Sequence, residues 1–281
     1  MRRLRGSLLA SSAFALAMFA LPSSAQTRAQ TQTQTAPTRS ASPKNIASRD
    51  AALRVLANKL DLPLVEETVA TFSRQLRRTL PGLFVNAVGE GAGLGARWKR
   101  GNAYFDESLR QVDAALAAEE ARGGPLLKLD RGDLLDAVNV PWTSDDIAFL
   151  NDTAETELGR QAQRAIDAKA ALQMTRTLAR RVRPYADTQP GAKSITDSFN
   201  DLEARAQAQY GDAALMLIAL KGADPQRAKR LQTLVEAVDT APADALGKRL
   251  ADKLSQRLLD AAAAQLPNLI AIVAGFSASN P

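Results

Sequence analysis

The sequence predicts an all-α fold: an antiparallel, bundle-like assembly of about seven to nine helices behind a disordered N-terminal tether. Three observations carry this expectation. Past Asn45, apolar residues recur three and four apart, as one face of an α-helix requires, and no stretch alternates as a half-buried strand does. The chain is rich in Ala and Leu, which lose little freedom on entering a helix. Its breaks are short and marked by Pro and Gly, which suits neighbouring antiparallel helices.

Residues 1–25 have the layout of a secretory signal peptide. Arg2, Arg3 and Arg5 precede an uncharged apolar run at 8–21, and Pro22-Ser23-Ser24-Ala25 places small residues ahead of a cut after Ala25. The apolar run is about 14 residues, short of the ~20 that span a bilayer as a helix. The mature chain is therefore expected to have no transmembrane helix and to work in the periplasm or outside the cell. Residues 26–44 (QTRAQTQTQTAPTRSASPK) hold only Ala as an apolar residue and cannot bury enough surface to offset their ordering entropy. They read as a disordered linker to a helical domain at 45–281, with a possible subdivision near 141.

Within that domain Leu53, Leu56 and Leu60 outline a first short helix, and Asp61-Leu62-Pro63 ends it and opens another. The second helix turns Val65, Val69, Phe72, Leu76 and Leu80 inward. Pro81-Gly82 is expected to interrupt its stripe ahead of a glycine-rich loop at 89–95. A third helix, near 103–122, turns Leu109, Val112 and Leu116 inward and stops at Gly123-Gly124. A short helix or turn is expected at 133–140. Thr143 reads as an N-cap with Asp146 at the third helical position. It opens a stripe through Ile147, Leu150, Ala154, Leu158, Ala162, Ile166, Ala170, Met174, Leu178 and Val182. Continuous to Arg183, this helix is about 60 Å long, and Gly159 is the place for a bend or break.

After a turn at 184–191, residues 194–223 place Ile195, Phe199, Leu202, Ala206, Ala213, Met216 and Leu220 close to a heptad seam. A shorter helix covers 227–238. The next, 243–266, carries Leu246, Leu250, Leu254 and Leu258 and ends at Pro267. The last apolar piece, 269–276, is too short to span a membrane and is expected to close the core.

Charge and composition narrow the chemistry. The chain has 36 Lys and Arg against 30 Asp and Glu. Arg2, Arg3, Arg5, Arg28, Arg39 and Lys44 all precede Asn45, where no acidic residue occurs, so the helical domain is balanced. That balance, together with export, argues against nucleic acid as a partner. The chain contains no Cys and no His. Disulfides, Ser-His-Asp and Cys-His catalysis, and zinc sites built on His or Cys are all ruled out. No cofactor and no metal site is expected. Carboxylate chemistry stays open in principle, but Glu66-Glu67 and Glu119-Glu120 are sequence neighbours pointing to different helix sides.

The strongest ligand candidate is Arg97, Trp98, Lys99 and Arg100, an aromatic among three cations after the glycine stretch GEGAGLG. Such a group suits an anionic glycan or lipid headgroup, and the alternative is a Trp98 folded into the core amid solvated charges. The glycines alternate as G-x-G-x-G-x-G, matching neither nucleotide-binding pattern, so they read as a flexible connection. Arg176, Arg180, Arg181 and Arg183 close a helix whose start carries Asp145, Asp146, Asp152, Glu155 and Glu157, as the helix dipole favours. Arg131-Gly132-Asp133 reads as a chance tripeptide.

Two segments together resemble an uncharacterised family of exported bacterial helical proteins, a domain of unknown function. Residues 48–83 are similar to its opening helix pair with a closing Pro-Gly-Leu. At 143–160, Thr143, Asp146, Ile147, Leu150 and Gly159 fall at matching spacings, while Thr153-Ala154 and Thr156-Glu157 replace its Phe-Tyr and Ser-Pro pairs. The resemblance covers roughly residues 45–165, implies an exported all-helical protein and brings no catalytic residue. The resulting expectation is a non-catalytic interaction or envelope-accessory protein whose partner is an unknown envelope component or protein. An envelope glycan hydrolase using one carboxylate, or a carrier of an apolar ligand or lipid, is the alternative.

Overall fold

The computed structural model describes residues 51–53, 55–56, 58–123, 129, 132–133, 142–186, 192–222, 224–239 and 241–279. The expected leader and linker, most of the expected turn at 133–140 and Arg131 lie outside those residues. The fold is all-α, with no strand among the described residues. The described residues of 51–59 are helical. They are followed by α1 (Pro63–Gly91), α2 (Ala103–Gly123), α3 (Ser144–Thr153) and α4 (Glu157–Ala186). The order continues with α5 (Ala192–Ala219), α6 (Pro225–Glu236), α7 (Ala241–Ala263) and α8 (Leu266–Ser279).

The chain divides into two compact units, with boundaries at 78/79, 124/125 and 256/257. The first unit joins the C-terminal part of α1, the loop after it, α2, the end of α7 and α8. Its core contains Phe84, Val85, Trp98, Phe105, Val112, Leu116, Leu258, Leu269, Val273 and Phe276, all buried. Here the last apolar piece closes its own core. Phe276 meets Trp98 edge-on at 5.4 Å and Tyr104 at 5.9 Å. Arg257 donates to Glu119 at 2.8 Å and draws its carboxyl below the usual range.

The second unit is organised by α4. Ala165, Asp167, Ala168 and Ala170 lie on different sides of α4 at 3.6 residues per turn, and all are buried. A helix enclosed on several sides needs small residues to admit its neighbours, which explains the alanines. It packs along α5 and against α6. Asp167 and Lys169 of α4 then serve the ends of two other helices. Leu62, ahead of α1, has no side-chain acceptor, and the Asp167 carboxylate accepts from the Leu64 and Val65 amides at 3.1 Å each. It does in trans what an N-cap carboxylate does locally. The Lys169 ammonium donates to the Val235 and Glu236 carbonyls, at 3.2 and 2.9 Å, where α6 ends.

One break differs from expectation, and the other falls beside the place that Gly159 marks. Pro81-Gly82 does not interrupt its stripe, because α1 runs through it to Gly91. Pro81 lacks one amide hydrogen, but Leu80, Pro81, Phe84 and Val85 are all buried, so packing outweighs the cost. The long helix from Thr143 is not continuous: α3 ends at Thr153 and α4 starts at Glu157. Thr156 is the cap of α4, since its hydroxyl accepts from the Gly159 amide at 3.1 Å and donates to the Thr153 carbonyl at 2.6 Å. Gly159 is required because a Cβ there would lie 1.9 Å from the Thr153 carbonyl oxygen. The Thr143 capping box is present, with Asp146 as its partner.

On α5 the inward seam holds from Ile195 to Ala213 and then passes to Leu217, leaving Met216 exposed. Among the described residues no single helix is long and apolar enough to cross a membrane. The pair α7 and α8, bent by 54°, passes that test only together.

Candidate functional site

The predicted site lies in the loop between α1 and α2, and the loop is a succession of defined turns. The Leu94 amide bonds the Gly89 carbonyl and the Gly93 amide bonds the Glu90 carbonyl, both at 3.0 Å. This pair of bonds is the Schellman motif that closes a helix with a left-handed residue at C′, and Gly93 has φ +69°. A single 3-10 turn follows at Gly95–Arg97. Asn102 then starts α2, its side-chain oxygen accepting from the Tyr104 amide at 3.0 Å. The glycine-rich connection is thus a hydrogen-bonded path of turns.

Trp98 pins the loop. Its indole is buried, donates from Nε1 to the Val85 carbonyl at 3.0 Å, and meets Phe105 edge-on at 5.5 Å. It fits only because residue 89 is glycine: a Cβ there would come within 2.1 Å of the ring. The indole is thus an anchor inside the first unit, and its face is not open to stack on a sugar. Arg97, Lys99 and Arg100, which bracket it, are exposed. Among the described residues none of the three forms an ion pair. The structure therefore separates the four predicted residues into one buried anchor and three exposed cations held on a short loop.

The other basic cluster is used internally. Arg176 pairs with Glu203 at 2.8 Å and Arg181 with Asp252 at 3.7 Å, while Arg180 donates to the Arg176 carbonyl. The Arg183 side chain lies outside the described residues. No group of three or more acidic side chains among the described residues is placed to hold a metal ion.

A second feature has no signature in the sequence. A groove of about 590 Å³ opens on the second unit, where α4 and α5 meet the start of α1. Asp167 and Gln209 line it, with Arg164, Gln163, Asp61 and Asp212. Burial pushes the Asp167 carboxyl up to about 6, against the pull of its bonds from Leu64, Val65 and Gln209, and nearby Asp61 adds to the rise. Asp167 comes from a helix interior and its partners lie 102 and 103 residues away, so no local pattern marks it. No family model, curated protein or solved structure matches the chain.

Proposed function

We propose that this chain is an exported, non-catalytic helical module that docks on an anionic component of the cell envelope through Arg97, Lys99 and Arg100. One observation carries the reading. Three exposed cations, without ion-pair partners among the described residues, stand within four residues on a loop whose position is fixed by the buried Trp98. Pre-positioned cations lose little freedom on meeting phosphate or carboxylate groups, so their attraction goes into binding. The leader at 1–25 and the polar linker at 26–44 support placement beyond the cytoplasmic membrane on a tether. The resemblance to exported helical proteins is consistent with the same setting.

The hydrolase alternative calls for an isolated buried Glu with a raised pKa; Asp167 is buried with a raised pKa, but it is an aspartate and has Asp61 nearby. Its two oxygens, however, accept from the first turn of α1 and from Gln209 at 3.2 Å. A carboxyl so engaged is a helix cap, which supports the non-catalytic reading.

The test is cosedimentation of the purified protein with anionic vesicles and with isolated cell-wall sacculi. Arg97, Lys99 and Arg100 are replaced together by Ala in the comparison protein. Retention by at least one surface, lost in the variant at unchanged thermal stability, supports the proposal. Equal retention of both proteins, or of neither, contradicts it.

A further inference from the structure

The groove on the second unit is independent of the loop, and its chemistry points to a ligand of its own. Three separate segments bring charges to it: Asp61 from the turn before α1, Arg160, Arg164 and Asp167 from α4, and Asp212 from α5. Arg160 pairs with Glu157 at 2.8 Å and Asp167 caps α1, which leaves Asp61, Arg164 and Asp212. All three are exposed, and among the described residues none of them forms an ion pair. Opposite charges that share a groove without bridging one another leave both signs available to a third party. The polar lining continues in the amides. Gln163 has no hydrogen-bond partner among the described residues. The Gln209 amide nitrogen donates to the Arg164 carbonyl at 3.1 Å and to Asp167, which fixes the side chain and turns its own oxygen to other uses.

We propose that this groove binds a dipolar, peptide-like ligand. Arg164 takes its carboxylate, Asp61 and Asp212 take its ammonium, and the Gln163 and Gln209 amides meet the peptide groups between. The volume, about 590 Å³, suits a few residues and falls within the range of small-molecule sites. A purely anionic ligand would be repelled by Asp61 and Asp212, and a purely cationic one by Arg164. Asp167 adds little charge of its own, because its carboxylate faces the positive end of α1.

The experiment titrates the purified protein with tri-alanine bearing free ends, with its N-acetylated form and with its C-terminal amide. Binding is followed by amide chemical shifts in two-dimensional NMR spectra. The free peptide is expected to move the amides of Gln163, Arg164, Gln209 and Asp212 and to leave the 97–100 loop unmoved. Each blocked form binds about two- to fivefold more weakly, the worth of one partly exposed ion pair. Arg164→Gln removes the difference between the free peptide and the amide, and Asp212→Asn narrows the difference between the free and acetylated forms. Both side chains are exposed, so the variants retain the fold. Absence of shifts in the groove, or blocked peptides that bind as well as the free one, overturns the proposal and leaves the loop proposal untouched.

Discussion

Replacing Asp167 by Asn tests the energetics at the centre of the second unit. The carboxyl is fully buried, and burial raises it from an ordinary value of 3.8 to about 6. A raised carboxyl pKa means that the folded state holds its proton more tightly than the unfolded chain does. The associated stability is fully present below pH 3.8 and is lost as pH rises through about 6. The gap between the two values corresponds to about 3 kcal/mol. Asparagine keeps the shape but cannot titrate, and its NH2 faces one of the two α1 amides, so it imposes an offset that does not vary with pH. The assay is urea unfolding of both proteins from pH 3.5 to 8, taking the stability of the natural protein minus that of the variant. This difference should fall by about 3 kcal/mol as the pH rises across the window. Subtracting the variant cancels the other carboxyls, including Glu67 beside Arg205, which is held low and acts in the opposite direction. A flat difference, or one that grows with pH, would show that the three hydrogen bonds and the α1 dipole outweigh burial.

Three further substitutions probe local geometry. Gly159→Ala forces a methyl group into the Thr153 carbonyl and should cost about 2 kcal/mol or more in denaturant unfolding; a neutral result would mean that the α3–α4 turn is not built as described. Thr143→Ala removes the capping box of α3 and should cost about 1 kcal/mol by the same measurement, with no change refuting the cap. Gly89→Ala displaces the Trp98 ring, which should shift Trp emission to the red in a Trp142→Phe background. An unchanged spectrum would refute the anchoring of the loop.

Much of this fold is legible in the sequence because most helices bury a single face. The stripes Val65–Val69–Phe72–Leu76–Leu80 and Leu246–Leu250–Leu254–Leu258 are all buried, and the Thr143 cap forms with the predicted partner. The one misplaced break and the points left open have physical causes. Pro81 sits in a helix interior because its surroundings are buried on both sides in sequence, and tertiary packing overrides the local penalty. The break before α4 is written in Thr156 and Gly159 together, where the apolar stripe alone runs on without interruption. At the site, the cluster of cations was legible because its members are consecutive. The sequence left open whether Trp98 faced a ligand or the core, since that depends on Val85, Gly89, Phe105 and Phe276 arriving from other turns and helices. The groove was invisible for the same reason: Asp61, Arg164 and Asp212 meet only after three segments pack.

The central claim is that the cationic loop is the docking element, and the affinity of the natural and triple-alanine proteins for anionic lipid vesicles tests it most directly. Each cation near an anionic surface contributes about 1 kcal/mol, so removing Arg97, Lys99 and Arg100 should weaken binding roughly a hundredfold at low salt. The difference should shrink as added salt screens the surface. Equal affinities for the two proteins, or a difference that salt does not reduce, would contradict the claim.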